Sequence, residues 1–482
     1  MIEPTQRLAP PGGAGTLPAD MPRGPPSPRG CSFWPRRYPT FIAAGSGAEP
    51  TSAPGVHGFM FRSTWMALLL ASMALAAVAG EDSRPSLTLA EARRLALERG
   101  WTLLSAKADL EVAEAQRIAA RAFPNPQLSS SVEKLQTGSA PAGTPSARDT
   151  TTALSQLVEL GGKRGDRVRS AAAEAAASGQ RLEFTRTRLD ADVVKAYAAA
   201  LAAQETVRIE RLSAASLTRS AEIAEDRFKA GEISDAEREQ VGIAAGRFEA
   251  DVRTAEAGAV QARVALQLLL GMPRPDGGVD LGDDLGRLST LIAAAAPPPD
   301  PSGPAWDGAS RPDVRAAAAE ADRAQADLSL QKALRVPDPT LLAQYESELP
   351  DHPHTVGFAV SLPVPLFYRN RGGIRTAETV RDSARRDLDQ AEARAWAEVT
   401  ASRAAWDAAL DRRRRVHGDL LPRAEKVEEM VALAYRNGAA SLLELLEAER
   451  NLNELRLAAV GTDAETVAAA ADRAAARGEV LP

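Results

Sequence analysis

Two apolar patterns alternate along this chain. In Val356-Gly357-Phe358-Ala359-Val360-Ser361-Leu362 the large apolar residues take every second position and Gly, Ala and Ser fill the rest. A period of two predicts a strand with one oily face and one small or polar face. Between Leu128 and Leu160 the chain is rich in Ser, Thr, Val and Leu on either side of a Gly-, Pro- and Ser-rich stretch from Thr137 to Asp149, which predicts two strands joined by a loop. Ala-rich, charged segments follow each strand region. From Gly165 to Lys229 there is no proline and one further glycine, Gly179, which predicts a helix of roughly 97 Å at about 1.5 Å per residue. The stretch from Ile374 to Arg436 is equally long, interrupted by Gly418 and by Pro422, where a kink is expected.

Each rod ends at a Gly-x-x-Ser element, Gly231 to Ser234 and Gly438 to Ser441, and a returning helix follows to about Leu270 or Ala476. Both are read as helical hairpins. Upstream, Thr88 and Glu91 form a capping-box pattern heading a helix that runs towards Ala122, stopped by Pro124 and Pro126. A further helix is predicted from Asp313 to Leu334, before Pro337-Asp338-Pro339.

These features occur twice at nearly one spacing. Gly231 maps on Gly438, Ser234 on Ser441 and Arg164-Gly165 on Arg371-Gly372, each 207 residues apart, whereas Pro124-Asn125-Pro126 maps on Pro337-Asp338-Pro339 at 213. The six extra residues therefore fall between Pro126 and Arg164. A duplication of this length is too long for a solenoid repeat and predicts two structural repeats, residues 80–271 and 313–476, separated by an irregular Pro- and Gly-containing connector at 272–312 and followed by a tail at 477–482.

Composition sharpens this. Aromatic residues make up 4% of the chain and Ala dominates whole stretches, consistent with long, thinly packed helices. The formal charge of -6 and the lack of a basic stripe with interleaved aromatics give no support for nucleic-acid binding, and Arg412 to Arg415 read as a solvated helix face. Residues 1–59 hold 12 of the 33 prolines without apolar periodicity and read as unfolded. Residues 60–79 follow with a basic start, an apolar core and an Ala-x-Ala end, the pattern of a secretory signal peptide, so Met60 is expected to be the true start. Cys31 is the single cysteine and lies upstream of that point, leaving the exported chain no disulfide and no lipid-anchor thiol.

The Gly-x-x-Ser elements have a local explanation. Gly231 and Gly438 suit the left-handed residue that closes a helix, Ser234 and Ser441 suit the cap of the next, and Glu237 and Glu444 complete capping boxes. Two such turns on rods of equal length also place two similar tips at one end of the molecule. At the other end are two strand pairs. Four strands cannot close a barrel and an open sheet edge cannot face hydrocarbon, so oligomerisation is required, and three chains would supply about twelve strands.

Leu157-Val158-Glu159-Leu160-Gly161-Gly162-Lys163-Arg164, Leu362-Pro363-Val364-Pro365-Leu366-Phe367-Tyr368-Arg369-Asn370-Arg371-Gly372 and the paired tips resemble TolC-type outer-membrane efflux channels, the outer membrane factors, with the first two stretches similar to the cobalt-zinc-cadmium resistance branch. The resemblance covers residues 87 to 475. It implies a mainly α fold with a small membrane β part: long α-helical hairpins building a periplasmic α-barrel, and four strands per chain contributing to a trimeric 12-stranded β-barrel in the outer membrane of a Gram-negative bacterium. It further implies a homotrimer, in contact with outer-membrane lipid, that is the passive exit duct of a tripartite system with an inner-membrane RND-type pump and a periplasmic adaptor, the membrane fusion protein. Heavy-metal cations are the implied substrates. Arg227, Gly231, Ser234, Tyr435, Gly438 and Ser441 would form the adaptor-docking tips. Asp235, Glu237, Glu444 and Glu447 are available as a lumen gate, although caps and first-turn charges favoured by the helix dipole account for each of them more simply.

No catalytic, cofactor or metal site is predicted. His57 lies in the N-terminal stretch, His417 stands alone on a helix, and His352-Pro353-His354 is placed in a loop between strands. Gly161-Gly162-Lys163 lacks the phosphate-loop spacing, and Arg164-Gly165-Asp166 is read as a chance tripeptide. Two other classes stay open: a periplasmic adaptor, which would carry one hairpin flanked by compact β domains, and a structural coiled coil of the cell envelope.

Overall fold

The computed structural model describes residues 86–134, 138, 148–295, 308–349 and 352–481. The expected leader at 60–79, the Pro-rich stretch before it, Cys31 and His57 lie outside the described residues.

Helix α1 (Leu89–Arg99) starts as its capping box predicts: the Thr88 hydroxyl accepts the Glu91 N–H, and the Glu91 carboxylate accepts the Thr88 N–H. The predicted run to Ala122 is not one helix. It breaks at Gly100, whose ψ is 123°, and restarts as α2 (Trp101–Ala120). A Cβ at Gly100 would lie 2.5 Å from the Ala96 carbonyl oxygen and 2.8 Å from the Leu189 side chain, so the break sits where the chain turns tightly against the first long helix.

Strands β1 (Gln127–Glu133) and β2 (Arg148–Leu157) lead into α3 (Lys163–Lys229), a helix of 67 residues. Helix α4 (Asp235–Leu269) returns along it. The connector is less irregular than expected, because it contains α5 (Leu285–Ala295) and a short 3-10 turn at Gly308–Ser310. It is also tied to the residues just before α1: Leu87 donates to the Asp280 carbonyl at 2.7 Å and accepts from Gly282 at 2.9 Å.

The second half repeats the order helix, strand pair, outgoing rod, returning helix: α6 (Pro312–Ala333), β3 (Thr340–Leu349), β4 (His352–Ser361), α7 (Arg371–Arg415), α8 (Leu421–Arg436) and α9 (Leu442–Ala476). The interruption expected at Pro422 takes the form of a π turn over Val416–Leu420, with Leu421 N–H bonded to the Val416 carbonyl, five residues back. A proline ring clashes with the carbonyl four residues earlier, here that of Gly418, and widening the preceding turn relieves this while the backbone stays helical. His352 and His354, expected in a loop, belong to β4, because its ladder with β3 continues out to the Glu348–His352 pair.

Helix α3 is the spine, packed by α1, α2, α4, α6 and α9. At its waist a buried cluster joins Leu103, Val193, Val194, Tyr197, Leu266 and Val467. The Tyr197 hydroxyl is satisfied inside that cluster, its single proton lying within reach of both Asp283 Oδ2 at 2.7 Å and the Leu87 carbonyl at 2.8 Å. Elsewhere many of the buried apolar residues on these helices are Ala, which add little apolar volume per turn.

Candidate functional site

The four strands form one antiparallel sheet in the order β1-β2-β3-β4, so β2 pairs with β3 and joins the two halves of the chain. The register sorts the side chains into two faces. Leu128 opposes Leu154, which opposes Ala343, which opposes Phe358; Val356 and Val360 continue that face beside Tyr345 and Leu341. Phe358 is 83% exposed, and Leu128, Val356 and Val360 are nearly as open. The opposite face carries Ser129, Ser131, Thr151, Ala153, Gln344 and Gly357. His354 shares the oily side, stacked on Tyr345 with ring centroids 5.9 Å apart. Within the described residues β1 and β4 are each paired on one side only. No described helix is long and apolar enough to cross a membrane.

The junctions between sheet and rods explain the Gly-Gly-Lys-Arg stretch. Gly161 and Gly162 take φ of 71° and 79°, turning the strand into α3. Lys163, almost fully buried, pairs with Asp338 at 2.7 Å and donates to the Val336 carbonyl, so the first rod is pinned to the residues preceding β3. Arg167 forms a two-pronged pair with Glu159 at 2.6 and 3.1 Å, and Arg164 lies over the Phe123 ring at 4.2 Å. Asp166 is buried and paired with Arg169, so Arg164-Gly165-Asp166 is not presented as a unit. In the second half Asn370, at φ 51°, turns the chain into α7 and donates to the Gln331 carbonyl at 2.8 Å.

The tips at the far end of the hairpins are built alike. Gly231 and Gly438 have φ of 78° and 70°. The residue after each glycine bonds back five residues, Glu232 to the Arg227 carbonyl at 2.9 Å and Ala439 to the Ala434 carbonyl at 2.8 Å, closing the helix in a Schellman turn. Ser234 and Ser441 then cap α4 and α9 in full capping boxes with Glu237 and Glu444. The bond from the Ser441 backbone holds the Glu444 carboxyl below the usual carboxylate range. Asp235 pairs with Arg238 at 2.8 Å, and Glu447 is exposed.

The two tips touch. Ala224, Val241, Tyr435, Leu442 and Leu445, drawn from all four hairpin arms, form a small buried cluster. The Arg227 guanidinium lies 5.4 Å above the Tyr435 ring while its Nε reaches Glu232 at 3.1 Å. Among the sequence-predicted tip residues, Gly231, Ser234, Gly438 and Ser441 are exposed, whereas Tyr435 is buried at 6% under Arg227. The junction residues Lys163, Asp338, Arg167 and Asn370 were missed as individual determinants. Their signal was the positive charge and glycine doublet where strand period gives way to helix period.

A sheet with an outward oily face, carried by two long helical hairpins that meet at a shared tip, defines a protomer of an outer-membrane efflux channel. The chain belongs to the outer membrane efflux protein family, whose family model matches residues 92–272 and 308–479. It is 27% identical over 396 residues to the cobalt-zinc-cadmium resistance protein CzcC of Cupriavidus metallidurans, an alignment covering 80% of this chain and 88% of that protein. It is 26% identical over 278 residues to the nickel-cobalt-cadmium resistance protein NccC of Alcaligenes xylosoxydans xylosoxydans, covering 57% of this chain and 60% of that one. Its fold superposes on the crystal structure of the channel CusC with a TM-score of 0.70 at 19% identity, over 81% of this chain and 92% of that one. The protein is thus an outer-membrane channel of a Gram-negative bacterium whose helical part extends into the periplasm.

Proposed function

We propose that three copies of this chain close a 12-stranded barrel and form the exit duct of a tripartite pump for heavy-metal cations. The observation that carries this reading is the sheet itself: an apolar outer face, a small and polar inner face, and two edges left unpaired among the described residues. The 10-residue strands β2, β3 and β4, at about 3.3 Å per residue and a tilt of about 40°, would rise about 25 Å, the height of the apolar band of an outer-membrane barrel, while β1, at 7 residues, is shorter. Divalent metals as cargo follow from the kinship with CzcC and NccC, named for cobalt, zinc, cadmium and nickel resistance.

At the periplasmic end, Arg227, Gly231, Ser234, Tyr435, Gly438 and Ser441 are proposed as the adaptor-docking tips, with exposed backbone turns making the contact and the Arg227–Tyr435 pair holding the two turns in register. An inner-membrane RND-type pump would deliver cargo through that adaptor. Asp235, Glu237, Glu444 and Glu447 are proposed to ring the same end of the duct. Glu447, exposed and free of any capping role, is the one best able to face passing cations.

The test is a deletion strain challenged with zinc, cobalt, cadmium and nickel. Loss of tolerance, restored by the full gene and not by one carrying Gly231→Pro and Gly438→Pro, is expected. Unchanged tolerance to all four metals would refute metal cargo.

A further inference from the structure

Between the waist and the tip, α3 and α9 run antiparallel and meet through a seam of buried polar side chains. Ser213 donates to Asn453 Oδ1 at 2.8 Å, Ser216 donates to Glu449 Oε1 at 2.8 Å, and the Asn453 amide reaches both Glu210 oxygens at 3.4 Å. Glu210, Ser213, Glu449 and Asn453 are each less than 9% exposed. Among the described residues no Lys or Arg pairs with the Glu210 or Glu449 carboxylate. Burying a carboxylate without a cation is costly, and two long bonds from one amide return little of that cost.

The surrounding charges deepen the problem. On the α4 side Asp251 faces Glu210, while Arg211 beside it is already committed to Glu256 at 2.6 Å. On the α8 side Glu428 carries like charge towards Glu449, and it is Glu428 itself that Glu429 crowds further and that Arg456 and Arg436 offset in part. Serine and asparagine hold the seam in place, yet its acids are only weakly compensated.

We propose that this seam is a proton-responsive joint between the two hairpins, locked when Glu210 is protonated and loosened when Glu210 is ionised. Burial is the main cause that pushes the Glu210 carboxyl up, Asp251 adds to it, and the Asn453 amide opposes both. The packed seam therefore binds a proton more tightly than the separated helices do. Its added stability is fully present below the ordinary carboxylate range and is lost as pH rises through the raised value of Glu210. Because α3 belongs to the first hairpin and α9 to the second, the joint sets how easily the hairpins move apart. It does so whatever the channel carries, so it stands apart from the proposed cargo.

Hydrogen exchange on the purified full chain in detergent, read at about pH 4, within the ordinary carboxylate range, and at about pH 7.5, and corrected for the intrinsic pH dependence of exchange, tests this directly. Peptides over residues 205–220 and 445–457 are expected to be protected about threefold or more better at the acid pH, with the waist peptide 190–201 unchanged. Glu210→Gln, which mimics the protonated acid, is expected to show the acid-level protection at both pH values. Equal wild-type protection at the two pH values overturns the joint, and so does a Glu210→Gln chain that keeps the full response. If the variant does not fold, the wild-type comparison alone decides.

Discussion

The glycines of the two tips are dictated by backbone and not by crowding. A Cβ at Gly231 or Gly438 would meet no atom within 4 Å, while both residues hold φ above +60°. Gly231→Ala or Gly438→Ala is therefore expected to cost about 1 kcal/mol through the left-handed conformation alone. It should appear as roughly fivefold faster hydrogen exchange in the turn, with the rods unaffected. Faster exchange along the whole of α3 or α8 would show instead that the glycines make a packing contact. The sequence shows these turns because glycine and the capping box act within a few residues. It does not show that Arg227 covers Tyr435, since the two lie in different hairpins and meet only after the tips fold together. The duplication held a partial signal: Phe228 occupies the place of Tyr435 in the first copy, and it too is covered by an arginine, Arg238, at 5.0 Å.

Strands and rods were legible at the level of elements because each is set by a local period. Alternation in Val356–Leu362 assigns faces before any partner strand is known, and an unbroken Ala-rich run without proline specifies a rod. The misses share a different cause. The break at Gly100 answers to Leu189, far along the chain, and the π turn at Val416–Leu420 is one of several ways a helix can accommodate Pro422. The face assignment gives a sharp comparison between neighbouring residues of one strand. Phe358→Lys puts a charge on the oily face and is expected to destabilise the inserted protein by about 2–4 kcal/mol. Ala359→Lys, on the opposite face, should insert normally and change conductance. Urea unfolding in lipid vesicles reads the first and planar-bilayer recording the second. Equal tolerance of both lysines would mean that the oily face does not meet lipid.

The single chain leaves several surfaces that only an assembly resolves. Beyond the two sheet edges, Trp101, Ile118, Met430 and Leu433 are all more than half exposed on the helices, more apolar surface than isolated rods in water would carry. Closing the sheet on two further copies brings β4 of one chain beside β1 of the next, and the alternating strand directions make that pairing antiparallel like the rest. Same-face residues then lie side by side and opposite-face residues cannot approach, because a disulfide needs Cβ atoms about 4 Å apart. In a Cys31→Ser background, which removes the one native thiol, Ser129→Cys combined in turn with Thr355→Cys, Gly357→Cys or Ala359→Cys scans the inward face across the proposed junction. One of these pairs is expected to give covalent dimers and trimers on oxidation, while Ser129→Cys with Phe358→Cys, on opposite faces, should stay monomeric. Bonding in the opposite-face pair would invert the assigned sidedness of the sheet. No cross-link in any same-face pair would mean that the edges are covered by something other than a second copy, and the barrel would have to be abandoned while the helical tip and its seam remain as described.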